Sequence, residues 1–139
     1  MVRSAFQYTH RVVYSECTIG NHIYYSRYLD ILEAARGEFF RHIGSPLRQL
    51  QETGCIFPVI GVEASYKSPA RYDDEIVIET RVTALRSHVI KFGYRLARLT
   101  PDGEQLLAEA ETVHVSVDKN MRKRSLPEKY IIAIRATMT

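Results

Sequence analysis

Four runs of alternating residues fill the second half of the chain, at 59–67, 75–86, 88–99 and 106–118. In the second of them Ile76, Ile78, Thr80 and Val82 alternate with Val77, Glu79, Arg81 and Thr83. In the last, Val113, Val115 and Val117 alternate with Thr112, His114 and Ser116. A period of two is the signature of a strand. The breaks between the runs, PARYDD, RSH and TPDGEQ, are too short for the crossover that parallel neighbours need. The sheet is therefore expected to be antiparallel, and Asp102-Gly103 marks a tight hairpin turn.

The first half reads differently. Residues 6–15 form one more strand, with Val12, Val13 and several aromatic or Thr positions. Residues 25–43 read as a helix, because Tyr28, Leu32, Ala35, Phe39 and Ile43 recur at steps of four or three, with Leu29 and Phe40 widening the stripe. Gly44 stops it. Ser45-Pro46 then starts a shorter helix, Ser as N-cap and Pro at the first helical position, running towards Gly54. Strand, long helix, short helix and four long strands make an α+β chain, a single domain over 1–139 with one major helix on an antiparallel sheet. Such a sheet has edges to cover, and pairing an edge strand with a second copy would cover one while creating a site between subunits.

Composition narrows the class. No apolar run approaches the roughly 18 residues of a membrane span, and MVRSAFQYTH has no apolar core of a secretory signal. Cys17 and Cys55 stand far apart and in no metal-binding spacing, which predicts two free thiols in a reducing cytoplasm, no metal and no membrane partner. A net charge of +3, with basic residues dispersed apart from Lys119, Arg122, Lys123 and Arg124, does not point to nucleic acid.

Four stretches, in order, resemble one family. RVVYSECTIGNHIYYSRYLDILEAARGEFF is similar to its strand, catalytic turn and helix start. VIGVEASYKSPARYDDEIVIETRV looks like its second and third strands, through the Y-x-x-P-A-x-x-D-D element. HVIKFGYRLAR with AEAETVHVSVD, and the RSLPEKY ending, complete the match from about residue 8 to about residue 130. The family is that of the hotdog-fold acyl-CoA thioesterases of the 4-hydroxybenzoyl-CoA thioesterase type. The resemblance implies one long central helix wrapped by an antiparallel sheet of five or six strands, a homodimer or homotetramer, and no cofactor. It implies an acyl-CoA, or an acyl-carrier-protein thioester, lying at the dimer interface with its carbonyl at the N-terminus of the long helix. In the family a carboxylate on the turn before that helix acts as nucleophile or as base for water.

In this chain the position of the family's acid holds Thr18. Asn21 falls where the family usually has Gly, His22 matches the His of the G-H-V-N-N variant of the turn, and Tyr25 stands where His or Asn is common. The resemblance thus implies hydrolysis in which the N–H groups of Ile23 and Tyr24 polarise the thioester. Thr18 and Asn21 would orient water, and either Glu16 or His22 would serve as base. Glu16 is the one carboxylate of the turn and would share a side with Thr18 on an extended strand; an imidazole, as on His22, is the side chain most often used as a general base. Cys17 reads as a packed residue, and Glu33 as the partner of Arg36 three residues on. Lys67, Arg71, Arg86 and Lys91 lie at strand ends or turns where the family often holds the CoA nucleotide. The missing acid leaves one alternative, a protein that binds an acyl thioester without cleaving it.

Overall fold

The computed structural model describes residues 6–138. Strand β1 (Phe6–Arg11) leads through a short 3-10 turn, Tyr14–Glu16, to helix α1 (Arg27–His42) and the shorter α2 (Leu47–Glu52). Strands β2 (Val59–Tyr66), β3 (Glu75–Arg86), β4 (Val89–Thr100) and β5 (Gly103–Val115) follow, and helix α3 (Glu128–Met138) ends the described chain. All strand pairs are antiparallel, in the order β1-β3-β4-β5-β2. The expected α+β plan, one long helix on an antiparallel sheet, is the one observed. Among the described residues no helix is long and apolar enough to cross a membrane.

The turns explain the meander. Arg86 pairs with Val89 and Thr100 with Gly103, so two-residue loops close both hairpins. At the ends of α1 and α2 the chain enters the left-handed region at Gly44 (φ 77°) and Gly54 (φ 83°), where glycine carries no Cβ penalty. Pro46, in extended geometry, takes the cap of α2 that Ser45 was expected to take, so the helix begins one residue later. Helix α3 was not anticipated, although Pro127-Glu128 is a helix-start signal: the Pro127 carbonyl accepts from the N–H groups of Tyr130 and Ile131.

Helix α1 buries Tyr28, Ile31, Leu32, Ala35, Phe39 and Phe40 on the sheet. Phe39, Phe40 and Phe92 meet edge to face at 5.5–5.9 Å, a geometry that adds to their burial. Leu29, expected in the stripe, is 40% exposed, and Ile31 takes an inner place instead. Leu29, Glu33, Arg36 and Phe40 form one row along a flank of the helix, exposed at its first two positions and buried at its last two.

Strand β5 turns its polar set inward. Thr112, His114 and Ser116 are buried, while Val113 and Val115 are only half-buried on the other face. Thr112 and His114 are joined with Arg36 and Tyr94 in a chain of four side chains whose direction is fixed by its ends. A guanidinium N–H of Arg36 donates to the Tyr94 hydroxyl (3.1 Å). That hydroxyl lies 2.8 Å from Thr112 Oγ1, which lies 2.9 Å from His114 Nε2. His114 Nδ1 sits 3.1 Å from the Phe57 carbonyl. The guanidinium can only donate and the carbonyl can only accept. So Tyr94 donates to Thr112, Thr112 donates to Nε2, and His114 is neutral with its proton on Nδ1. Burial, first of all, pushes the His114 pKa down to about 4, with the Arg36 charge acting in the same direction.

This histidine makes stability fall in acid. Its folded pKa lies below its ordinary value of 6.5, so between pH 6.5 and 4 the unfolded chain binds a proton that the folded chain refuses. Stability is full above pH 6.5 and drops as pH falls towards 4, by about 3 kcal/mol across the window. Urea unfolding at a series of pH values should show this slope in the wild type and a flatter one in His114→Gln.

Candidate active site

The connection from β1 to α1 is held at several points. Val12, the residue after β1, is 1% exposed and sits in the core. Cys17 and Ile23 pair across the loop as an isolated bridge, and Thr18 N–H donates to the His22 carbonyl at 2.9 Å. Within the loop Asn21 N–H returns to the Thr18 carbonyl, and Asn21 itself is left-handed (φ 57°), a geometry asparagine tolerates. The Asn21 amide oxygen accepts from Tyr72 N–H (3.2 Å), and its carbonyl accepts from the Arg71 guanidinium (3.4 Å). Ile23 is buried and donates its N–H to the Ala70 carbonyl at 2.9 Å. Asn21 and Arg71 thus clamp the loop to the segment between β2 and β3.

A cleft of about 470 Å³ opens beside this loop, lined by Thr18, His22, Tyr24, Tyr25, Tyr28, Tyr66 and Lys67 among others. Thr18 Oγ1 lies 3.4 and 3.3 Å from the two ring nitrogens of His22, so the hydroxyl faces the ring edge. Gly20 leaves room for that ring: a Cβ there would stand 3.0 Å from two ring atoms. Tyr66 donates its hydroxyl to the Tyr25 carbonyl (3.2 Å), and Ala70 N–H reaches the Tyr28 hydroxyl (3.4 Å). Burial pushes the Tyr28 and Tyr66 phenols up, so both keep their protons at neutral pH.

Two expectations are corrected here. Glu16 does not share a side with Thr18, because residues 14–16 form a 3-10 turn and not an extended strand. Its carboxylate turns back to accept from Val13 N–H (2.9 Å) and, with its two oxygens at 2.9 and 3.0 Å, from His10 Nε2. It is absent from the cleft wall. Nor are the N–H groups of Ile23 and Tyr24 open to a ligand: the first is donated to Ala70 and the second to the Glu16 carbonyl (3.0 Å). The open donors come next in the chain. Ser26, the cap of α1, makes no side-chain cap bond, and the N–H groups of Tyr25 and Ser26 meet no acceptor among the described residues. An uncapped helix start presents partial positive charge and free donors together.

The remaining candidates separate. Of the four cations expected to hold a nucleotide, Lys67 lines the cleft and Arg71 serves the Asn21 clamp. Arg86 lines a separate recess of about 70 Å³ with Ser116 and Arg135, and Lys91 lies on β4, paired with Ala84. Glu33 forms no ion pair with Arg36 among the described residues. Both cysteines are free, and burial with the neighbouring Glu16 pushes the Cys17 thiol up, away from its nucleophilic form. Among the described residues no three metal-ligating side chains converge. His10, which the sequence did not single out, matters through Glu16.

Comparison with known proteins bears on the same residues. The thioesterase-like superfamily matches residues 12–133. The acyl-CoA thioester hydrolase YbgC of Escherichia coli is 31% identical over 132 residues, covering 94% of this chain and 96% of that protein. A structure from Thermus thermophilus superposes with a TM-score of 0.87 at 29% identity, covering 97% of this chain and 99% of the other. The 4-hydroxybenzoyl-CoA thioesterase of Pseudomonas sp. strain CBS-3 superposes with a TM-score of 0.83 at 26% identity, covering 94% and 99%.

The Glu16 carboxylate should behave as a structural group. Glu16→Ala leaves the Val13 N–H and His10 without their acceptor and is expected to cost about 1–3 kcal/mol in urea unfolding.

Proposed function

This chain belongs to the thioesterase-like superfamily, and from that premise we propose how it works: it hydrolyses an acyl-CoA thioester to a carboxylic acid and CoA at the cleft beside the start of α1. The observation that carries the reading is the pair of open N–H groups, Tyr25 and Ser26, at an uncapped helix N-terminus on the edge of a tyrosine-lined cleft. A thioester carbonyl set against them is polarised, and the negative oxygen of the tetrahedral intermediate is stabilised by the same donors and by the helix dipole. His22 takes a proton from water as the water oxygen bonds to the carbonyl carbon, and the Thr18 hydroxyl at 3.3 Å fixes the ring and the water. The C–S bond then breaks, and the proton on His22 passes to the leaving sulfur. Lys67 at the cleft wall meets the phosphates of the CoA arm.

The second subunit enters by the sheet edge. β2 has only β5 beside it in the protomer, and its Val59, Ile60, Val62 and Tyr66 are exposed. A second copy pairing there would satisfy the open edge and cover those side chains. The two free thiols suit a reducing cytoplasm.

One observation favours the binding-only alternative: the residues that line the cleft include no carboxylate. A single assay separates the two. Thiol release from a panel of aryl-, short- and long-chain acyl-CoAs should exceed background for at least one substrate. His22→Ala should lower kcat by about 10²-fold or more, and Glu16→Gln should leave it within about threefold of wild type. Thr18→Asp, which puts a carboxylate beside His22, should raise kcat. Tight acyl-CoA binding with no thiol release in the wild type, and release only in Thr18→Asp, would establish the binding-only reading.

A further inference from the structure

A second cleft, of about 380 Å³, lies on the other flank of α1, between the helix, α2 and the chain leading into β2. Its walls include Leu47, Leu50, Phe57 and Pro58, with Arg36 and His114 among its polar groups. Arg36 is only 9% exposed. A guanidinium so buried ordinarily faces a carboxylate, because removing its charge from water is costly unless an anion compensates. Here no ion pair to it is formed among the described residues. Its single partner is the neutral Tyr94 hydroxyl at 3.1 Å, and its other N–H groups meet no acceptor among the described residues. His114, neutral or protonated, supplies no negative charge to it. Glu33 also lines the cleft, but it is exposed at the lip and outside ion-pair distance.

The chain of hydrogen bonds through Tyr94, Thr112 and His114 to the Phe57 carbonyl gives this arrangement rigidity. It ties the guanidinium to β4, β5 and the entry to β2. The side chain is therefore held in place with most of its donor fork unused, a geometry that suits a planar, two-oxygen acceptor. The volume falls in the range of small-molecule sites, and Leu47, Leu50, Phe57 and Pro58 give the wall a hydrocarbon stretch, with Gln51 beside it.

We propose that this cleft is a binding site for a monocarboxylic acid, its carboxylate forked on Arg36 and its hydrocarbon laid along Leu47, Leu50 and Phe57. The proposal is independent of thioester cleavage, since it concerns equilibrium binding of an acid and requires no turnover. It predicts discrimination by charge: an acid binds, and the amide of the same shape does not.

The test is calorimetric titration of the full chain with octanoate and with octanamide, repeated on Arg36→Gln and Leu47→Trp. Octanoate should bind saturably to the wild type, and octanamide at least about tenfold more weakly. Arg36→Gln should lose octanoate affinity by about tenfold or more. Leu47→Trp should block the cleft while leaving the polar chain intact. If Arg36→Gln does not fold, the acid–amide pair and Leu47→Trp decide. Equal binding of acid and amide would overturn the proposal, as would unchanged affinity in both variants, which would put the acid in the tyrosine-lined cleft. No octanoate binding up to about 10 mM would overturn it as well.

Discussion

The hydrogen bond from Ile23 N–H to the Ala70 carbonyl, 2.9 Å long, decides where helix α1 begins. Ile23 is a buried side chain within an otherwise exposed loop, so its place in the core fixes the chain on both sides of it. Upstream, it closes the bridge with Cys17 and shapes the Thr18–His22 turn. Downstream, it leaves Tyr24 to bond Glu16 and exposes the next two N–H groups at the helix start. The loop therefore spends its first donors on its own anchorage and keeps the following ones for a ligand. Asn21 and Arg71 hold the same segment from the other side, which is why the cleft rests on backbone geometry more than on any one side chain.

The fold was legible where a local pattern decided it. The limits of β3, 75–86, follow from its alternation, and Asp102-Gly103 marks the hairpin between β4 and β5. The site was legible to the level of the loop and no further. Glu16 looked available because alternation assumes an extended chain, and the 3-10 turn at 14–16 reverses its side chain towards His10 and Val13. The N–H groups of Ile23 and Tyr24 looked open because their acceptor on Ala70 is remote in sequence and the one on Glu16 depends on that same turn. Tertiary contact decides both, and no window of neighbouring residues carries it.

The inward face of β5 teaches a related lesson. Hydrophobicity alone would turn Val113 and Val115 to the core, yet Thr112 and His114 occupy it. Their burial is tolerable because each polar atom of the Arg36-to-Phe57 chain has a partner of the right sense, and a fully joined polar network has no orphaned donor in it except at its charged end. Arg36 lies there, and Val113 and Val115 stay half-buried on the opposite face, beside the charged Lys91 and Glu111. The exchange is local to the end of β5: along β3 and β4 the inward face is apolar, with Ile76, Ile78, Phe92 and Leu96 buried, and the outer face is polar, as in a sheet covered on one side.

The two-residue turns of the β3–β4–β5 meander have a consequence for how the chain reaches this state. Those strands contact near neighbours in sequence and can close quickly, whereas β1 must find β3 across the whole helical region. On the ribosome the order is reversed: α1, with Tyr28, Leu32 and Phe39 on its apolar side, emerges after β1 but well before the rest of the sheet that covers it. Synthesis of this chain passes through a period in which its longest helix has only β1 to lie on, and that period ends when β3, its other partner in the sheet, leaves the tunnel.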